Sequence, residues 1–163
     1  MITDALLILC GAISAAGALT GQAANGAGNI ISTNTVDLAP LTLGGNQAGD
    51  TGAGQQLHVV FSILTAPTVG TSVQFQLIQA DNAALDSGVQ VLVASDVFLI
   101  AALPIRTQVP LVWDRAAPHT PKRYFGARIV NAGSIATFSV FATVVPDVQT
   151  IRNLHYASGF SIT

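Results

Sequence analysis

The sequence predicts an all-β domain, a β-sandwich or barrel, on three observations. From Gln55 onward apolar and polar residues alternate with period two, the pattern of half-buried strands. No window of useful length combines a 3.6-residue period with helix formers. The chain has no Glu and a single Lys, so the usual residues of an exposed helix face are missing. Gly and Pro (15 and 7 residues) punctuate the alternating runs, as in folds built from many short strands. A chain of 163 residues is the length of one domain with one core.

The elements follow in order. Residues 1–29 read as an N-terminal arm and Gly-rich connector. Ala5–Cys10 (ALLILC) imitates a secretion signal, but Asp4 stands where a positive charge belongs and the apolar run is short. Bulky Leu9 before Cys10 argues against a lipoprotein, so a retained structural arm is expected. Ala15–Asn29 and Gly44–Gly54 lack side chains able to form a core and read as loops or extended connectors. Residues 30–149 read as the β domain, opening with the β-branched run Ile30–Leu38.

Leu57, Val59, Phe61 and Ile63 share one face of the next strand, as do Val73, Phe75 and Leu77 of another. Val89, Val91 and Val93 repeat the pattern. The continuous run Val97–Leu103 reads as a strand covered on both faces. Gln108–Trp113 is a short strand that Pro110 confines to an edge or a bulge. Arg123–Val130 alternates, Asn131–Ser134 reads as a hairpin turn, and Ile135–Val145 as the longest strand. Phe138, Val140, Ala142 and Val144 share its inner face. Residues 150–163 read as a C-terminal extension.

Charge is scarce. Eight acids, all Asp, and six bases make up 9% of the chain, against about a quarter in an ordinary soluble domain. The exterior must therefore be built largely from Ala, Gly, Ser, Thr, Asn and Gln. Few ions are stranded when such a surface is covered, which suits a part of an assembly. A net charge of −2 with scattered bases gives no field for nucleic acid, and no apolar stretch has the ~20 residues of a membrane span. Cys10 is alone and forms no disulfide within the chain.

Residue sets that could carry chemistry are incomplete in this sequence. Asp50-Thr51-Gly52-Ala53 matches the aspartic-protease tetrad, but Gly44–Gly49 precede it where a hydrophobic strand should hold the carboxylate. His58, His119 and His155 lie far apart, without metal-ligand spacing. Asp81–Gly88 lacks the closing Glu of a calcium loop and reads as a capped turn. No G-x-S-x-G occurs. The expectation is no enzyme, no cofactor and no metal. One basic group stands out, Arg115 with Lys122 and Arg123, either a solvated loop or a contact for an acidic neighbour.

The opening Met1–Leu7 (MITDALL) and Ser32–Leu38 (STNTVDL) resemble the capsid cement, or decoration, proteins of short-tailed bacteriophages of the Bordetella-phage type. Phe75-Gln76-Leu77, Asp81–Leu85 (DNAAL), Arg123–Arg128 (RYFGAR) and the closing Val144-Val145-Pro146-Asp147 continue the likeness in order. The resemblance covers roughly residues 1–149. It implies a jelly-roll β-sandwich on the outer surface of a virion, assembled in the bacterial cytoplasm. It also implies pairing as a homodimer at two-fold positions and bridging of neighbouring copies of the major capsid protein. The Gly-rich stretches and the tail depart from the pattern and are candidate arms. The expected interface residues are Ile2, Leu6, Leu7 and Ile8 of the arm, Arg115, Lys122 and Arg123 of the basic group, and Leu154, Tyr156 and Phe160 of the tail. The alternative reading is an exported surface subunit of adhesin or pilus type.

Overall fold

The computed structural model describes residues 7–38, 56–113 and 122–146. Within them the chain forms thirteen strands and, apart from short 3₁₀ turns, no helix. The strands are β1 Ile8–Cys10, β2 Ala12–Ile13, β3 Leu19–Thr20, β4 Gln22–Ala23, β5 Gly26–Ile31, β6 Val36–Asp37, β7 Leu57–Thr68, β8 Ser72–Ala80, β9 Gln90–Ala94, β10 Phe98–Leu99, β11 Gln108–Trp113, β12 Tyr124–Ile135 and β13 Thr137–Val145.

Two antiparallel sheets face each other. The first runs β1-β13-β7-β11, with β4 on the same free edge of β13 as β1. The second runs β10-β8-β12-β5; β9 shares the edge of β8 with β10, and β6 shares the edge of β12 with β5. Counting edge-sharing pieces as one strand leaves eight, in chain order. The first sheet then reads 1-8-3-6 and the second 2-7-4-5. β2 and β3 pair as a separate ribbon.

Period-two alternation places one core between the sheets. Val59, Phe61 and Ile63 of β7 and Phe138, Val140, Ala142 and Val144 of β13 face Val73, Phe75 and Leu77 of β8 and Phe125, Ala127 and Ile129 of β12. Aromatic rings lock the layers. Phe61 and Phe75 approach to 4.9 Å between centroids, and Trp113 stacks on Phe125 at 4.1 Å. Pro110 lies in β11, which among the described residues pairs only with β7, at the edge of the first sheet, where a missing N–H is tolerated.

Five expectations are corrected. The arm boundary at residue 29 is not a seam, because β1 and β4 pair with β13 and β5 pairs with β12, with Leu9 and Ala24 fully buried. Small residues there supply backbone pairing rather than side-chain volume. Asn131–Ser134 is not a hairpin turn: β12 runs through it, bulged between Asn131 and Ile135, and the chain changes sheets at Ala136. The Asn131 amide bonds the carbonyls of Ala24 and Gly26 (2.8 and 3.1 Å), so here Asn and Gly mark a bulge. Val97–Leu103 gives only the two-residue β10 and a 3₁₀ turn at Ile100–Ala102. Val89, Val91 and Val93 do not share a face, since a register shift puts Val91 beside Ile78 on the outer side and Val93 beside Leu77 in the core. Finally, β7 and β12, at 12 residues each, exceed the 9 of β13.

The outer face of the second sheet has two parts. Its middle is polar: Arg128 Nε donates to Gln76 (2.7 Å), the Gln76 amide to Gln74 (2.8 Å), and the Gln74 amide to the Ser95 carbonyl (3.0 Å). Toward the Asp81 end, the turn after β8 folds back and plugs Leu85 against Ile78, Ala80, Val89, Val91 and Tyr124. The Asn82 side chain caps this turn, accepting from the backbone N–H of Asp86 and Ser87 (both 3.2 Å).

Candidate interaction surface

Of the expected interface residues, Ile2, Leu6, Arg115, Leu154, Tyr156 and Phe160 lie outside the described residues, as does Asp50–Ala53. Leu7 is 38% exposed, and its carbonyl accepts from the Thr143 hydroxyl (3.1 Å). Ile8 is buried opposite Thr143 of β13.

The basic group does not present free charge at its two described members. Lys122 Nζ contacts both carboxylate oxygens of Asp81 at 2.8 Å. Arg123 forms a fork with Asp37, its Nε and one terminal nitrogen each 2.9 Å from a carboxylate oxygen, and lies over the Tyr124 ring. The Asp37 hydrogen bond holds the Arg123 guanidinium above its usual value. The exposed Arg123–Asp37 pair adds little stability, but both pairs neutralise the site. Gly88 lies against one of them, so a Cβ there would displace the Asp81 carboxylate from Lys122. These pairs gather at the end of the sandwich where β6, β8 and β12 meet.

The exposed apolar side chains lie elsewhere. Val69 (68%), Val97 (62%), Leu99 (64%) and Ile105 (59%) belong to the β7–β8 turn and to the connection from β9 to β11. The two segments are joined by the Leu99–Ser72 pairing and by the Ile100 N–H on the Thr71 carbonyl (3.3 Å). Sequence reasoning missed this surface. A continuous apolar run reads the same whether it is a covered strand or a surface connection. The Ala101-Ala102 pair and Pro104 were the signals that it was not a strand.

Among the described residues no three of His, Cys, Asp and Glu come within reach of one metal ion. No described helix is long and apolar enough to cross a membrane. On the outer side of the first sheet His58 Nδ1 and Ser62 Oγ are buried without a hydrogen-bond partner among the described residues.

Cys10 is buried, and burial pushes its thiol up to about 12. The native protein should therefore resist iodoacetamide at pH 8 while the guanidinium-unfolded chain takes one equivalent; rapid native labelling would contradict this burial. The raised pKa also sets a sign. Its contribution to stability is complete below the ordinary thiol range near 9 and is lost progressively as pH rises from there toward 12. Cys10→Ala should flatten that alkaline decline by up to ~1.4 kcal/mol per pH unit.

No protein-family model and no curated protein matches this chain.

Proposed function

We propose that this protein is a structural cement of a bacteriophage capsid, binding the outside of the assembled shell and bridging neighbouring copies of the major capsid protein. The observation that carries the reading is a charge-poor sandwich whose basic side chains at 122 and 123 are already paired while Val69, Val97, Leu99 and Ile105 face outward. Such a surface loses little on desolvation and gains from being covered. The likeness to phage cement proteins in Ser32–Leu38, Asp81–Leu85 and Arg123–Arg128 supports the same conclusion.

Jelly-roll connectivity is part of this proposal. Its support is the 1-8-3-6 order opposite 2-7-4-5, in which successive strands alternate between sheets except at one hairpin. Jelly rolls serve viral capsids, and also lectins and cupins, so the surface rather than the fold decides the function. The role needs no catalytic group, cofactor or metal, and acts on the outer capsid surface after assembly in the host cytoplasm.

The mechanism is selection of one state. A site built across two capsomers exists only in the finished lattice, so binding shifts the equilibrium toward that lattice by its differential affinity. A contact of ordinary size buries ~1,600 Å² in total. Co-sedimentation tests the reading: the purified chain should pellet with mature heads of its own phage at saturating stoichiometry and stay in solution with dissociated capsid subunits. Equal binding to both, or to neither, would contradict it.

A further inference from the structure

The connection from Asp96 to Arg106 leaves the second sheet at β10 and enters β11 of the first, closing one flank of the sandwich. It is pinned from beneath. Phe98 packs against Phe75 (6.2 Å between centroids), Leu103 is fully buried, and the Arg106 N–H reaches the Ile63 carbonyl at 2.8 Å. Around those anchors Val97, Leu99, Ala101, Ala102 and Ile105 face outward, with Val69 on the adjoining turn. The edge strand β11 continues this surface with Pro110 and Val112.

Two backbone positions here break local rules. Val69 (φ 60°) and Arg106 (φ 72°) adopt the left-handed conformation. A β-branched residue held there costs on the order of 1–3 kcal/mol, and turns of this kind favour Asn or Gly. Val69 is also the most exposed large apolar residue described. Neither its strain nor its exposure stabilises the single chain, and such unrewarded departures mark contact sites.

Charge then selects the partner. Asp96 stands at the second-sheet end of the connection and Arg106 at the first-sheet end. Both are exposed, and neither has an ion-pair partner among the described residues. An apolar segment with an acid at one end and a base at the other is complementary to itself run in the opposite direction. A two-fold contact sets Asp96 of each copy against Arg106 of the other and joins the apolar middles.

We propose that this flank is the contact between two copies of the chain. The assignment supplies a surface for the pairing that the cement reading expects. It is tested without shells, so the two can fail separately: a chain that pairs through this flank yet ignores mature heads sinks the shell reading alone.

Sedimentation equilibrium of the full chain over a wide concentration range should show monomer and dimer. Val69→Asn suits the left-handed turn and removes the anchor, so it should leave the melting temperature equal or higher and weaken pairing about tenfold or more. Arg106→Asp should weaken pairing similarly by placing like charges together. The charge-exchanged double variant Asp96→Arg with Arg106→Asp should recover to within about threefold of the original. A chain that stays monomeric throughout overturns the proposal. So do single variants that pair as tightly as the parent, or a double variant no tighter than the singles.

Discussion

Phe75→Ala is expected to lower the unfolding free energy by about 3–5 kcal/mol, the cost of emptying a large aromatic site in a packed core. Phe75 is fully buried on β8, and its ring meets Phe61, Phe98 and Phe138 at 4.9, 6.2 and 6.5 Å between centroids. It therefore joins both sheets and anchors the Asp96–Arg106 flank in one contact group. A fall in melting temperature on the order of 10 °C follows for a chain of this size. Calorimetry or denaturant titration checks it. A loss below about 1 kcal/mol would mean that the inter-sheet core is not organised around this ring.

Gly126→Ala is the second large effect, and it acts by overfilling. Gly126 sits in β12 where the Leu85 plug folds back; a Cβ would collide with a Leu85 methyl and lie 2.9 Å from Ser32 Oγ. That hydroxyl is itself committed, accepting from the Ala127 N–H (3.0 Å) and donating to the Asn34 carbonyl (2.9 Å). Neither neighbour yields cheaply, so about 1–3 kcal/mol or more is lost. Trimming the plug gives the control. Gly126→Ala combined with Leu85→Ala should cost less than the sum of the two single losses, because the collision is gone. Strict additivity would place the plug elsewhere.

The inner faces of β7, β8 and β13 were legible in the sequence because burial against one opposing sheet imposes period two directly. The all-β class followed from the same pattern. What escaped was set by backbone rather than side chains. The Gly-rich chain before Asn29 hides strands because Ala24 and Gly26 contribute hydrogen-bonding groups instead of volume. The bulge in β9 separated Val91 from Val93 without any change in composition. Asn131–Ser134 carries turn chemistry that a bulge uses equally well.

The interaction surface was the least legible part. Lys122 and Arg123 looked free because Asp81 and Asp37, their partners, are 41 and 86 residues away in the chain. Val69 is a single valine between Thr68 and Gly70, and nothing in a linear pattern shows that it is strained and exposed. Val97–Leu103 has the composition of a buried strand, yet only Leu103 is fully covered. Exposure of an apolar run depends on which neighbours the fold supplies, and the connection crosses the flank where strands end.

Electron cryomicroscopy of virus particles purified from the native source of this chain is the decisive check on the proposed cement role. A cement role places density for the sandwich outside the shell floor, repeated across capsomer boundaries, with paired copies meeting at the flank of Val97, Leu99 and Ile105. Particles whose outer surface is fully explained by the major capsid protein, with this chain absent from them, would contradict it.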